Sequence, residues 1–337
     1  MTRILIPVYL LLALSGASAA DMPGIPEFIN EMVAKHQFKR EELVQVFHQA
    51  QHRQDVIDAM NTPSTTKPWL EYRAAFINPK RIDGGIKFWQ KHADALERAE
   101  KLYGVPQEII IAIIGVETLY GRQAGNYRTL DALTTLTFDY PRRVDFFRNE
   151  LEQYLLLARE QNFDLLSIRA SYAGALGIPQ FMPSSYRQNA VDFDGDGKID
   201  LLTGADDAIG SVANYLRQHG WKPGEPVAVR ATVENVDRPN DVGAARSLAA
   251  WRELGVTQQN NSSAQNNLGQ MNIGDGFYAY LLDFTLPVDK EYWFGFNNFA
   301  VITTYNNSSY YAMSVFQLAM ELRKSGRDQG MIRRAPL

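Results

Sequence analysis

The sequence predicts a mainly helical, α+β fold, and three observations carry that expectation. Apolar residues recur every three or four positions from Ile25 to about Gly104 and again from Ser309 to Arg323, the spacing of amphipathic helices. The segment from Val105 to Val116 is apolar on every side, which fits a buried central helix. Between Lys222 and about Val288 the pattern changes to Gly, Pro, Asn and Gln interleaved with short β-type runs such as Val227 to Val233.

Taken from the N-terminus, Met1-Thr2-Arg3, the apolar run from Ile4 to Leu14 and the small residues Ala17, Ser18, Ala19 and Ala20 read as a cleaved secretory signal. The mature chain is expected to start near Ala20 or Asp21. The run is shorter than the roughly 20 residues of a membrane span and holds Pro7, which disfavours an uncleaved anchor. Phe28-Ile29-Met32-Val33 and Leu43-Val44-Val46-Phe47 mark helical faces, and Thr62 to Pro68 is a loop by its proline and hydroxyl content. A single helix is expected from Gly85 to Leu102, with Trp89, Ala93, Leu96 and Ala99 on one face. Pro106 suits the first turn of the central helix. Further helices are expected at Pro141 to Gln161, Ser184 to Val191 and Asp206 to His219. These readings divide the chain into a signal (1–20), a helical N-terminal part (21–104), a core (105–221), a small β-containing unit (222–290) and a C-terminal segment returning to the core (291–337).

Composition removes several function classes. With 337 residues and 45% hydrophobic content the chain can bury a core and an accessory unit. It has no cysteine, which excludes disulfides, thiolate metal sites, cysteine nucleophiles and a lipidated N-terminal Cys. A net charge of −4 without a lysine or arginine block argues against nucleic acid as a partner.

Two segments carry candidate chemistry. Glu117 ends the apolar helix, so its carboxyl emerges from hydrophobic surroundings that favour the neutral form. A carboxylic acid kept protonated near neutral pH can donate a proton to a leaving oxygen, the first step of glycosidic cleavage. The alternative is a structural acid paired with Arg122 or Arg128. In the second segment, Ser171 to Tyr186, glycines and prolines hold amide and aromatic groups on irregular backbone. Gln180 could hydrogen-bond a sugar while Tyr172 or Phe181 stacks on a ring face; the alternative is a turn packed on the core.

Glu117-Thr118-Leu119-Tyr120-Gly121-Arg122 together with Ser171 to Tyr186 resembles the membrane-bound lytic transglycosylase B family and its soluble relatives. The likeness continues through Asp139-Tyr140-Pro141-Arg142-Arg143, the acidic loop at Asp192, Ala208 to Tyr215 and Thr304-Tyr305-Asn306. It implies a lysozyme-like core and non-hydrolytic cleavage between N-acetylmuramic acid and N-acetylglucosamine in peptidoglycan strands, leaving a 1,6-anhydro ring. One glutamate, at Glu117, would act first as acid and then as base, with Asp139 its nearest rival. By the same resemblance Ser171, Gln180 and Phe181 would line sugar subsites. Tyr305, Asn306 and Tyr311 would face the glutamate from the last core helix, and Arg142 and Arg143 would meet lactyl or peptide carboxylates. The protein would be periplasmic, soluble once the signal is removed, with no membrane anchor. The rival readings are a hydrolytic muramidase and a non-catalytic, calcium-stabilised glycan-binding protein.

Asp192-Phe193-Asp194-Gly195-Asp196-Gly197-Lys198-Ile199-Asp200 matches the first nine positions of an EF-hand loop. Asp192, Asp194 and Asp196 would offer carboxylates and Lys198 its carbonyl oxygen to a structural Ca2+. Position twelve is Thr203, so a later acid, Asp206 or Asp207, must close the site, and the resemblance favours Asp207. His48 and His52 stand four apart on an expected helix but lack a third zinc ligand. Tyr292, Trp293, Phe294 and Phe296 read as core packing of an edge strand rather than a sugar platform.

Overall fold

The structure, a computed structural model, describes residues 22–62, 67–234, 244–259 and 273–330; the expected signal lies outside them. Six helices open the described residues: α1 (Ile25–His36), α2 (Arg40–Gln49), α3 (Gln54–Asn61), α4 (Trp69–Phe76), α5 (Pro79–Lys91) and α6 (Ala93–Tyr103). The central helix α7 (Gln107–Thr118) follows, then β1 (Tyr127–Arg128), α8 (Thr129–Phe138), α9 (Val144–Gln161), β2 (Arg169–Ala170), α10 (Pro183–Asn189) and α11 (Ala205–Gln218). A sheet region comprises β3 (Ala228–Val233), β4 (Ala245–Ser247), α12 (Leu248–Glu253), β5 (Val256–Gln258), β6 (Tyr278–Thr285) and β7 (Lys290–Gly295). The helices α13 (Asn297–Tyr305) and α14 (Ser309–Asp328) close the described chain.

The fold is mainly helical and lysozyme-like, and α7 is its axis. Ile109 to Ile114 are fully buried, enclosed by α5, α6, α11 and α14. Each such isoleucine contributes about 1.5–3 kcal/mol relative to exposure. Around α1–α3 a second core forms against α8 and α9, with Phe28, Met32, Phe47, Leu133 and Phe147 at its centre.

Three expectations need correction. The single helix expected from Gly85 to Leu102 is broken at His92, whose φ of −119° ends α5. Its ring Nδ1 lies 3.0 Å from Asp206 Oδ1, a partner 114 residues away, so a tertiary contact settles what local periodicity left continuous. His48 lies on α2 but His52 lies beyond its end and pairs through Nε2 with Asp139 at 2.7 Å, so no shared metal face exists there. The strand β7 is internal rather than an edge: the antiparallel order is β4-β6-β7-β3-β5, with Val229 opposite Phe294 and Arg230 opposite Trp293. Strand alternation sends Trp293 to the main core and Phe294 to a small core with Trp251 and Leu281.

Candidate active site

The end of α7 is shaped by Tyr120. Its ring fills the space beside Gly115, where a Cβ would lie 2.6 Å from its hydroxyl, and that hydroxyl donates to Arg81 O at 2.7 Å. Thr118 Oγ1 donates to Ile178 O at 2.8 Å and accepts from Gly121 N at 2.9 Å. These bonds hold Leu119 (φ 51°) and Tyr120 (φ 64°) in the left-handed region and end the helix one residue past Glu117. The Arg81 guanidinium is bonded to the carbonyls of Gly115 and Val116, the last two before Glu117.

Glu117 is partly buried and retains a solvent path. Burial pushes its carboxyl up to about 7, while the Tyr311 hydroxyl and the Arg81 charge oppose the shift. Tyr311 OH donates to Oε1 at 2.5 Å. Burial first, and Glu117 second, raise Tyr72 to about 12 and push Tyr305 and Tyr311 well above their ordinary range, so all three are neutral. The carboxyl group is therefore surrounded by O–H dipoles and one guanidinium. Neither arginine proposed as a structural partner is paired with it, and Arg128 instead meets Asp131 at 2.7 Å.

The expected site residues fall into two sets. Tyr305 and Tyr311 stack at 6.4 Å with an interplanar angle of 12°. They do not come from one helix: Tyr305 ends α13, exposed Asn306 caps it, and Tyr311 lies in the first turn of α14. Tyr305 OH donates to Pro179 O at 2.6 Å, joining the Ser171 to Tyr186 loop to the ring that stacks on Tyr311. In that loop Ser171 Oγ accepts from Ala175 N at 3.1 Å. Gln180 (φ 54°) donates from Nε2 to Ala124 O at 3.1 Å and Gly177 O at 2.9 Å. Phe181 is only 2% exposed and packs on Tyr215 and Tyr305, so it cannot offer a ring face to a sugar; it supports Tyr305 from behind. Tyr172, 40% exposed, can.

The second set lies outside this cluster. Arg142 and Arg143 are exposed in the turn before α9, where the Arg143 guanidinium sits 3.9 Å over the Phe146 ring. Asp139 caps α8 and pairs with His52. Sequence reasoning did not single out Tyr72 or Arg81. The Gly84-Gly85 pair inside α5, which admits the Tyr120 ring, was a signal of close approach near Arg81.

In the acidic loop, oxygens of Asp192, Asp194 and Asp196 lie within 4.8 Å of one another. Gly195 (φ 81°) and Gly197 (φ 88°) make the bend. This all-oxygen donor set fits a hard cation such as Ca2+. Asp207 stands apart from the triad, with Oδ1 accepting from Phe193 N at 2.7 Å and Oδ2 from Asp200 N at 2.7 Å. It pins both ends of the loop. The loop is tied to the candidate site, because Ile178 N donates to Leu201 O at 2.8 Å and Tyr186 OH donates to Ile199 O at 2.7 Å.

Comparison with known proteins adds four findings. The family described as the transglycosylase SLT domain matches residues 21–320. Membrane-bound lytic murein transglycosylase B of Escherichia coli (strain K12) is 44% identical over 315 residues, covering 90% of this chain and 83% of that protein. Among solved structures, soluble lytic transglycosylase SltB1 of Pseudomonas aeruginosa superposes with a TM-score of 0.82 at 47% identity, covering 91% of this chain and 100% of that one. Escherichia coli lytic transglycosylase Slt35 in complex with calcium gives a TM-score of 0.83 at 43% identity, covering 92% and 96%.

Proposed function

The chain belongs to the transglycosylase SLT-domain family, and from that premise we propose that it is a lytic murein transglycosylase in which Glu117 is the single acid and base. Its substrate is the peptidoglycan glycan strand, cut at the β-1,4 bond between N-acetylmuramic acid and N-acetylglucosamine. The observation that carries the mechanism is a carboxyl that burial raises to about 7 against the opposing influence of Tyr311 and Arg81, with no second carboxyl among those influences.

Burial keeps Glu117 protonated, so it donates its proton to the glycosidic oxygen as the C1–O bond breaks. The carboxylate that remains accepts the Tyr311 O–H bond and lies in the field of Arg81, both of which favour its charge. It then takes the proton of the muramic acid 6-hydroxyl as that oxygen closes on C1. Atoms balance without water. A muramidase would instead require a carboxylate to activate water or capture the sugar. Released muropeptides examined by mass spectrometry decide between them, since anhydro ends are one water lighter than hydrolytic reducing ends. Ser171, Gln180 and exposed Tyr172 would meet the sugars, with Asn306 at the rim and Arg142 and Arg143 meeting carboxylates farther along the strand.

Replacing Tyr311 with Phe is expected to lower kcat about tenfold, the loss of one charge-assisted hydrogen bond of roughly 1.5 kcal/mol. Because that bond lowers the Glu117 pKa, its loss also moves the alkaline limb of the pH–rate profile upward. A slower enzyme with an unmoved profile would show that Tyr311 acts only in packing.

Ca2+ is proposed as a structural ion held by Asp192, Asp194, Asp196 and the Lys198 carbonyl, with Asp207 pinning the loop. Bound there, it would neutralise the crowded carboxylates. At a hundredfold excess over Kd it stabilises by about 2.7 kcal/mol. Chelation is therefore expected to lower Tm by about 5 °C, restored by Ca2+, and Asp194→Ala should abolish the response. An unchanged Tm would remove the ion from the proposal. Export to the periplasm through residues 1–20 is likewise proposed; N-terminal sequencing of the mature protein should begin at Ala20 or Asp21, whereas a retained Met1 would contradict it. Among the described residues no helix is long and apolar enough to cross a membrane.

A further inference from the structure

A cavity of about 510 Å³ lies between α14, β3, β7 and α4, lined by none of the residues placed around Glu117. Its α14 residues, Phe316, Met320, Arg323 and Arg327, fall roughly half a turn around the helix from Tyr311 at about 100° per residue. Arg323 lies about 18 Å along the axis from Tyr311 at 1.5 Å per residue. The two sites thus use opposite faces and opposite ends of one helix.

The cavity is cationic. Five basic side chains line it against two acidic ones, Glu321 and Asp328. Three of the five are fixed by the fold: Arg73 is bonded to Gln317, Arg230 meets Glu291 at 3.0 Å, and Arg323 meets Glu108 at 2.7 Å. Lys324 and Arg327 form no ion pair among the described residues. Trp293 is 5% exposed and its Nε1–H has no hydrogen-bond partner, and the buried Nε–H of Arg323 also has none. A buried donor without an acceptor costs about 1–3 kcal/mol. Two such donors beside a lining that holds more cations than anions suit an anionic acceptor. Val229, Phe316 and Met320 supply an apolar wall beside them, which suits an anion carried on a small apolar body.

We propose that this cavity is a second, non-catalytic binding site for the carboxylate end of a peptidoglycan stem peptide, whose terminal alanine offers a carboxylate on a single methyl-bearing carbon. The identity of the peptide rests on the function proposed above. The carboxylate would lie between Lys324 and Arg327, which form no ion pair among the described residues. Such a site tethers the enzyme to the wall through peptides while Glu117 acts on glycan.

The test is calorimetric titration of the Glu117→Gln protein with a free alanine-terminated stem tetrapeptide carrying no sugar. Lys324→Glu and Arg327→Glu are the variants, with thermal melts to show that each is folded. Peptide binding that weakens at least tenfold in each charge-reversal variant, is retained in Arg327→Lys and is lost when the terminal carboxylate is amidated is the expected result. Undetectable binding, binding indifferent to these substitutions, or equal competition by inorganic phosphate would overturn the proposal. The readout needs no cleavage, so a protein that binds peptide yet releases hydrolytic ends would reject the lytic mechanism and leave this site standing.

Discussion

Glu117→Gln is expected to abolish release of anhydro-muropeptides, lowering turnover by at least about 10³-fold while glycan binding persists, because a glutamine can hydrogen-bond a sugar but has no proton to give. The same substitution has a stability signature with a definite sign. The folded carboxyl titrates at about 7, above its ordinary 4.5. Between those pH values the folded protein therefore holds a proton that the unfolded chain has released. Wild-type stability falls as pH rises through that window and levels off above it. The uncharged variant escapes this penalty. It should equal the wild type near pH 4 and exceed it by up to about 3 kcal/mol at pH 8. Wild-type kcat/KM should in turn decline above about pH 7 as the acid loses its proton. Parallel stability curves for the two proteins would show that the fold does not raise the Glu117 carboxyl, and persisting anhydro products would show that Glu117 is not catalytic.

The second large effect belongs to Gly177. Its φ is +67°, and a Cβ there would overlap the Leu201 carbonyl. That carbonyl accepts from Ile178 N, the bond that joins the loop beside Glu117 to the acidic loop. Backbone cannot yield as a flexible side chain can, and the left-handed conformation adds about 1–2 kcal/mol for any residue with a Cβ. Gly177→Ala is expected to cost about 4 kcal/mol in denaturant unfolding. It should also reduce Ca2+-dependent stabilisation, because both loops lose a shared anchor. Gly195→Ala is the informative contrast: its φ is +81° but a Cβ there meets nothing within 4 Å, so only the conformational cost applies. Equal losses in the two variants would mean that the Leu201 contact carries no weight.

The sequence by itself determined the helical class, the buried α7, the position of Glu117 at its polar end and the three aspartates of the acidic loop. All of these are local patterns, in which spacing along the chain already fixes which groups share a face. Motifs in the right order also pointed to the family. The tertiary structure decided the partners. Tyr311 meets Glu117 across 194 positions, and His92 meets Asp206 across 114, breaking a helix that periodicity left whole. The buried place of Phe181 and the internal place of β7 were likewise invisible beforehand. Hydrophobic periodicity records that a residue is buried, not which distant residue buries it. The protonation state of Glu117 depends on that second fact, because desolvation and the Tyr311 and Arg81 interactions exist only once α4, α5, α7, α13 and α14 are packed together.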